Sequence, residues 1–93
     1  MSDTYAIVIS GKVQGVFFRA SARKVAQDLG LSGFVKNETN GQVYLEATGP
    51  KTALDKLVAW CRKGPRWSQV ESVEVKKITG TSYAVENGFV ILG

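Results

Sequence analysis

The stretch whose residue types could do chemistry is residues 11–19, which read Gly-Lys-Val-Gln-Gly-Val-Phe-Phe-Arg. Gly11 and Gly15 lie four positions apart, so the chain can curl tightly with its amides turned inward. Arg19 falls at the start of a helical pattern, where a guanidinium opposes the helix dipole unless an anion shares the site. The pattern favours a phosphate site built from loop amides, a helix N-terminus and Arg19. An ordinary glycine-containing turn before a solvated arginine is the alternative, since the spacing fits neither the Walker A loop nor the dinucleotide-binding glycine pattern.

Side chains for acid–base or covalent catalysis are scarce. The chain contains no histidine, which removes the commonest general base, the commonest zinc ligand and every Ser-His or Cys-His pair. Cys61 is the single cysteine and lies on the apolar stripe of a helical pattern. We therefore expect a buried, inert thiol and no disulfide within the chain.

The carboxylates are spread singly over different segments, with no Asp-x-Asp loop and no obvious pair. Metal binding and acid–base catalysis by carboxylates both need such side chains close together. We therefore expect solvated carboxylates, no metal site and no cofactor. Apart from Asp3 at the start of the chain, the carboxylates are Asp28, Glu38, Glu46, Asp55, Glu71, Glu74 and Glu86.

The first half of the chain predicts three strands and a helix. Residues 5–10 are β-branched and almost wholly apolar, as in a central strand. From Phe18 onward apolar residues recur at helical spacing until a glycine ends the pattern. Residues 31–38 and 42–48 predict two strands joined by a tight turn at residues 39–41, because Asn-Gly readily adopts the positive φ angles of a hairpin.

The second half predicts one helix and two strands. A Gly-Pro pair at residues 49–50 opens a helical pattern, and another at residues 64–65 ends it. Residues 70–78 alternate polar and apolar side chains and predict a strand. Residues 79–87 predict a loop, and residues 88–92 a short last strand.

The order strand, helix, strand, strand, helix, strand is the split βαβ pattern of the ferredoxin-like α+β sandwich. We therefore predict one antiparallel sheet with both helices on one face. The chain has 93 residues, 44% of them hydrophobic and 22% charged. This length and composition predict a single globular domain, residues 1–93.

Two segments together resemble a known family. Residues 11–19 closely resemble the signature of the acylphosphatases, and residues 33–37, which read Gly-Phe-Val-Lys-Asn, resemble the second signature of that family. The likeness extends over nearly the whole chain. It implies a ferredoxin-like fold and hydrolysis of the carboxyl–phosphate bond of acyl phosphates.

The resemblance also implies roles for individual residues. Arg19 and the main-chain amides of the loop would bind the phosphate, and Asn37 would position the attacking water. The loop residues assigned to phosphate binding are Gln14, Gly15, Val16, Phe17 and Phe18. The substrate's own phosphate would take up the proton of the water, so no strong base is needed.

One position departs from the family pattern. Glu38 follows Asn37, whereas several members have a threonine there that helps to hold the asparagine. We therefore expect Thr39 or main-chain contacts to orient Asn37 in this chain.

The location and partners follow from charge and composition. No apolar run approaches the roughly 20 residues of a membrane-spanning helix, and the first residues lack the pattern of a secretory signal. We therefore expect a cytoplasmic protein that does not bind membranes. The net charge of +4 favours anionic partners of any kind.

An RNA-binding module is the rival hypothesis, because it shares this topology and the chain has Tyr44, Trp60, Trp67 and Tyr83 as possible stacking surfaces. The motif that such modules need on a central strand, a basic residue and glycine followed by alternating aromatic residues, is missing. We therefore predict that the protein binds no nucleic acid. Together with the resemblance, this predicts a metal-independent monomer that acts on a small-molecule acyl phosphate.

Overall fold

The computed structural model describes residues 2–80 and 88–93 of the chain. All the predicted helices and strands are present, with ends shifted by a few residues. Residues 81–87, which include Tyr83, Glu86 and most of the predicted loop at residues 79–87, lie outside the described residues. In chain order the elements are β1 (Asp3–Lys12), α1 (Phe18–Asp28), β2 (Ser32–Asn37), β3 (Val43–Gly49), α2 (Lys51–Lys63), β4 (Gln69–Ile78) and β5 (Phe89–Ile91).

The five strands form one sheet in the order β4-β1-β3-β2-β5. β3 pairs antiparallel with both β1 and β2, and β4 pairs antiparallel with β1. β1 and β2 therefore run in the same direction although β3 separates them. A strand placed between two parallel strands is the predicted split βαβ arrangement. With the two helices, the sheet forms an α+β fold.

The prediction of a purely antiparallel sheet is wrong, because β5 pairs with β2 in parallel. Antiparallel neighbours can be joined by a short hairpin, whereas parallel neighbours need a longer crossover. β4 and β5 lie at opposite edges of the sheet, so no hairpin turn sets the direction of the last strand. The sequence pattern of β5 carried no signal for its direction.

Both helices cover the same face of the sheet, as predicted. Alternation along β3 buries Val43, Leu45 and Ala47 completely. These residues belong to one apolar cluster with side chains from both helices. The helical members are Phe18, Ala22 and Ala26 from α1 and Leu54, Leu57 and Cys61 from α2.

Glu46 contradicts the expectation that the carboxylates are solvated, since it is only 1% exposed. It lies on the face of the sheet away from the helices, opposite Phe34 of β2, which is buried as well. It accepts a hydrogen bond of 2.5 Å from the Tyr44 hydroxyl. Burial, together with this bond, raises the pKa of Tyr44. Strand alternation placed Glu46 outside the helix-covered core but did not indicate that this part of the other face is shielded too.

The remaining described carboxylates agree with the expectation. Asp28, Asp55, Glu71 and Glu74 are exposed, and Asp3 and Glu38 are half-buried. Among residues 2–80 and 88–93, no group of three or more His, Cys, Asp or Glu side chains could hold a metal ion. No helix in the same residues has both the length and the apolar character needed to cross a membrane.

Gly11 shapes the exit of β1 toward the loop at residues 13–17. The pairing of β1 with β4 shifts register between Ser10 and Gly11, and Gly11 has a φ of 126°. A Cβ atom here would collide with the main-chain oxygen of Gln69. Only glycine tolerates this combination of angle and close approach.

The buried thiol yields a prediction about alkaline stability. Burial raises the pKa of Cys61 from 9.0 to about 12, although Arg62 opposes the shift. The unfolded chain therefore loses this proton before the folded protein does, and the free energy of unfolding should fall as the pH rises above 9.0. The contribution to the slope is about 1.4 kcal/mol per pH unit.

Denaturant unfolding of the wild type and of Cys61→Ala between pH 7 and 11 measures this contribution. The variant should be less stable at neutral pH because of the cavity, but its stability should decline less steeply with pH. Equal slopes would contradict the assignment.

Candidate active site

A pocket of about 300 Å³ opens where the loop after β1 meets the start of α1 and the ends of β2 and β5. It brings together residues of the two segments that were singled out in the sequence. β1, β2 and β5 all run in one direction, so their carboxyl ends reach the same edge of the sheet. The lining residues are Val13, Gly15, Phe17, Phe18, Arg19, Ala20, Asn37 and Ile91.

The loop turns sharply into α1 through two residues in the left-handed region. Gly15 has a φ of 73°, and Phe17, the N-cap of α1, has a φ of 61°. The side chain of Phe17 makes no capping hydrogen bond, and the first turn of α1 contains no acidic residue. The positive end of this helix thus faces the pocket without a carboxylate of its own first turn to balance it.

Arg19 is the second residue of α1, and it lines the pocket half-buried. In the part of the chain that the structure describes, the ion pairs are Lys24–Asp28, Lys36–Glu38, Lys51–Asp55 and Lys77–Asp3. None of them involves Arg19. The guanidinium adds its positive charge to that of the helix dipole with no carboxylate partner among these residues, so the pocket is suited to an anion.

Asn37 is the last residue of β2 and lines the pocket together with residues of the helix start. Its main-chain NH donates to the main-chain oxygen of Gly93 at 2.9 Å. Its side-chain Oδ1 is buried and accepts no hydrogen bond from any described residue. An unsatisfied buried acceptor costs about 1–3 kcal/mol. The carboxamide therefore gains from any rotation or ligand that gives it a donor, such as a water in the pocket.

The hydrogen bonds found at Asn37 are main-chain contacts, one of the two alternatives expected from the sequence. Thr39 is exposed, and no hydrogen bond links its side chain to Asn37. The carboxylate of Glu38 lies 3.9 Å from Lys36 Nζ and does not line the pocket. Pairing with Val43 of β3 and the bond to Gly93 hold the backbone of Asn37 in place.

The predicted phosphate-binding residues divide into two groups. Gly15, Phe17, Phe18 and Arg19 line the pocket, whereas Gln14 and Val16 do not. Val16 is half-buried against the apolar core, and the carboxamide of Gln14 reaches the turn between β2 and β3.

Ile91 and the oxygen of Gly93 are site features that the sequence analysis missed. No motif signals them, because they reach the site only through the parallel pairing of β5 with β2. Lys12, the residue after Gly11, is exposed and does not line the pocket.

Comparison with known proteins gives consistent results. A family model described as acylphosphatase matches residues 5–91. An acylphosphatase of Alkalilimnicola ehrlichii is 46% identical over 84% of this chain and 88% of its own length.

Solved structures show the same likeness. The acylphosphatase of Coxiella burnetii superposes with a TM-score of 0.89 at 37% identity, covering 98% of this chain and 93% of that one. The acylphosphatase of Bacillus subtilis gives a TM-score of 0.90 at 32% identity over the full length of both chains.

The strained N-cap generates a stability prediction. Phe17 is 81% exposed, so its side chain adds little by burial, while its left-handed backbone is unfavourable for any residue with a Cβ. Phe17→Gly should therefore be about 1 kcal/mol more stable than Phe17→Ala.

Chemical denaturation of the two variants measures the difference, and Phe17→Ala is the matched control because it removes the same ring and keeps the Cβ. In an ordinary helix position glycine is the less stable of the pair. An alanine variant as stable as the glycine variant would show that the backbone is not strained here.

Proposed function

The chain belongs to the acylphosphatase family and is an enzyme of that activity, and we propose that the pocket between α1 and β2 is where it hydrolyses the carboxyl–phosphate bond. The phosphate is held by Arg19 and the amides of the loop, and Asn37 orients the attacking water. The observation that carries this assignment is that one small pocket is lined both by Arg19 and by Asn37. Among the described residues, Arg19 has no carboxylate partner and the buried Oδ1 of Asn37 has no hydrogen-bond donor.

Phosphate binding rests on charge and on the direction of the amides. A phosphate monoester carries close to two negative charges near neutral pH. The guanidinium of Arg19 offers a planar fork of N–H donors, and the uncapped start of α1 offers main-chain NH groups along its positive dipole. The same donors stabilise the charge that spreads over the equatorial oxygens in the transition state.

Water attack then needs position more than basicity. The water oxygen forms a bond to phosphorus while the bond from phosphorus to the carboxyl oxygen breaks, and the carboxylate leaves with the electron pair. Asn37 holds the water in line with the leaving oxygen, since a carboxamide can both accept and donate hydrogen bonds. One proton of the water passes to the phosphate, so the products are a carboxylate and inorganic phosphate.

The role of Arg19 predicts a loss of anion affinity. Arg19→Ala removes charge-assisted hydrogen bonds worth about 1.5–3 kcal/mol each, so the inhibition constant of inorganic phosphate should rise about 10- to 100-fold. kcat/KM for an acyl phosphate should fall at least as much. Steady-state kinetics with phosphate as competitive inhibitor measures both.

Arg23→Ala is the matched control, because Arg23 is exposed one turn further along the same helix and does not line the pocket. It should change neither constant. A folded Arg19→Ala enzyme with near-normal kcat/KM would exclude the proposed role.

The role of Asn37 predicts a loss of turnover without the loss of phosphate affinity that is expected for Arg19. Asn37→Ala should lower kcat about 100- to 1,000-fold, as is usual on loss of one preorganised polar group, with little change in the inhibition constant of phosphate. Thr39→Ala is the control for the neighbouring hydroxyl and should retain normal kcat. If both kcat and phosphate affinity fall equally in Asn37→Ala, the residue binds phosphate and does not orient water.

The proposed mechanism uses no metal ion and no side-chain base that titrates near neutral pH. This leads to a prediction about the pH dependence of kcat. The hydrogen bond between Lys51 and Asp55 lowers the pKa of Asp55 and raises that of Lys51, and burial raises those of Tyr44 and Cys61. All four shifts lead away from neutrality. We expect kcat to stay level between about pH 5 and 8 unless the phosphate of the substrate itself titrates.

A chelator should leave kcat unchanged, and any inflection near neutrality should move with the phosphate pKa of the substrate. Loss of turnover on chelation, or an inflection that is the same for every substrate, would contradict the proposal.

The proposal also includes the expected location and partners. The protein is a cytoplasmic monomer with one domain, residues 1–93, and it binds no nucleic acid. The placement of the aromatic rings supports the last point. The ring of Trp60 packs on that of Phe18 with centroids 5.2 Å apart, and the ring of Tyr44 lies 6.0 Å from that of Phe34. Trp67 is largely exposed, but it stands beside Arg66 in a loop and not on the sheet surface. RNA titration of the wild type, run beside the hydrolysis assay, tests the rival function.

A further inference from the structure

The side chain of Gln14 joins the two halves of the site. Its Nε2 donates to the main-chain oxygen of Glu38 at 2.8 Å and to that of Gln42 at 2.9 Å. Glu38 directly follows Asn37, and Gln14 directly precedes Gly15. One carboxamide therefore connects the loop that lines the pocket to the turn that directly follows Asn37.

The turn between β2 and β3 does not need Gln14 to form. The NH of Glu38 already donates to the oxygen of Gln42 at 2.8 Å, and the NH of Gly41 donates to the oxygen of Glu38 at 3.2 Å. Each carbonyl has two lone pairs, so the bonds from Gln14 are second bonds to oxygens that are already paired. They link the turn to the loop and leave the turn's own hydrogen bonds unaltered.

Such a link matters because the two halves come from strands that are not neighbours. β3 lies between β1 and β2, so no ladder of main-chain bonds joins the ends of β1 and β2 directly. Among the described residues, the two bonds from Gln14 are the side-chain hydrogen bonds that connect residues 11–19 with the rest of the protein. Burial of Val13 and Phe18 also holds the loop, and the neighbouring Ser10 Oγ accepts a bond from Gln42 Nε2 at 2.8 Å. The bonds from Gln14 are the ones that fix the loop itself to the turn after Asn37.

We propose that Gln14 is a positioning residue of the hydrolysis: its side chain sets the distance between the phosphate-binding loop and Asn37, and hence the alignment of the water with phosphorus. This goes beyond the phosphate contact that the resemblance assigns to position 14, and it rests on the proposed role of Asn37. A displacement of about 1 Å between reacting groups can cost about 100-fold in rate.

The first test uses Gln14→Met, which keeps the length of the side chain and removes both donors. We expect kcat to fall about 10- to 100-fold, with the inhibition constant of phosphate changed by no more than about twofold. Gln27→Met is the matched control, because Gln27 also donates to a main-chain oxygen, that of Phe89 at 3.3 Å, and does not line the pocket. Thermal unfolding of each variant shows whether the protein folds normally.

A double-mutant cycle separates positioning through Asn37 from a general disturbance of the loop. In an Asn37→Ala background, adding Gln14→Met should lower kcat by no more than about twofold, because there is no side-chain amide left to align. If Gln14→Met is as harmful in that background as in the wild type, the proposal is wrong. If Asn37→Ala alone retains normal kcat, the role of Asn37 itself fails, which is a separate result.

A second variant tests the donor function directly and does not depend on packing. In Gln14→Glu the ionised carboxylate has no donor and faces two carbonyl oxygens, whereas the protonated acid has one O–H donor. The kcat of Gln14→Glu relative to the wild type at the same pH should therefore rise as the pH falls through the titration of this carboxyl. A ratio that stays constant with pH in a folded protein would refute a role for hydrogen-bond donation at this position.

Discussion

The site depends on the common direction of three strands that end at one edge of the sheet. β1 and β2 are parallel but separated by β3, and β5 runs parallel to β2 on its other side. The loop that leads to Arg19 in α1 leaves the end of β1, Asn37 ends β2, and Ile91 ends β5. A last strand in the opposite direction would carry Ile91 and the oxygen of Gly93 away from Asn37. The mixed sheet is thus a requirement of the pocket.

The edge at which these strands end holds several features that are unfavourable in the free protein. Among the described residues, the first-turn Arg19 has no carboxylate partner and the buried Oδ1 of Asn37 has no hydrogen-bond donor. Phe17 adopts a left-handed backbone. Such features persist where the surrounding structure leaves the chain no alternative. Here Phe18, Ala22 and Ala26 anchor α1 in the same apolar cluster as α2 and the sheet, so burial of these side chains holds the strained helix start in place.

In the proposed mechanism the chemistry follows from this arrangement and not from a reactive side chain. The chain has no histidine, and its one thiol is buried with a raised pKa. An acyl phosphate already has a good leaving group, so alignment and electrostatic stabilisation can supply most of the rate. A small enzyme of this kind can therefore work with one guanidinium, main-chain amides and one carboxamide, provided that their relative positions are maintained. The side-chain hydrogen bonds of Gln14 to the turn after Asn37 would help to maintain these relative positions.

The element order, the helix-covered face of the sheet and most of the residues that line the pocket could be predicted from the sequence, because they depend on local signals. Hydrophobic periodicity, the Asn-Gly turn, and the glycines and arginine of residues 11–19 are all readable within a few positions. The parallel direction of β5, the burial of Glu46 and the hydrogen bonds of the Gln14 side chain became apparent only in the tertiary structure. Each of these depends on a contact between segments distant along the chain, such as Gln14 with Gln42 or Phe34 with Glu46. Local patterns do not record which distant segment a side chain or a strand will meet, and only the assembled sheet brings those partners together.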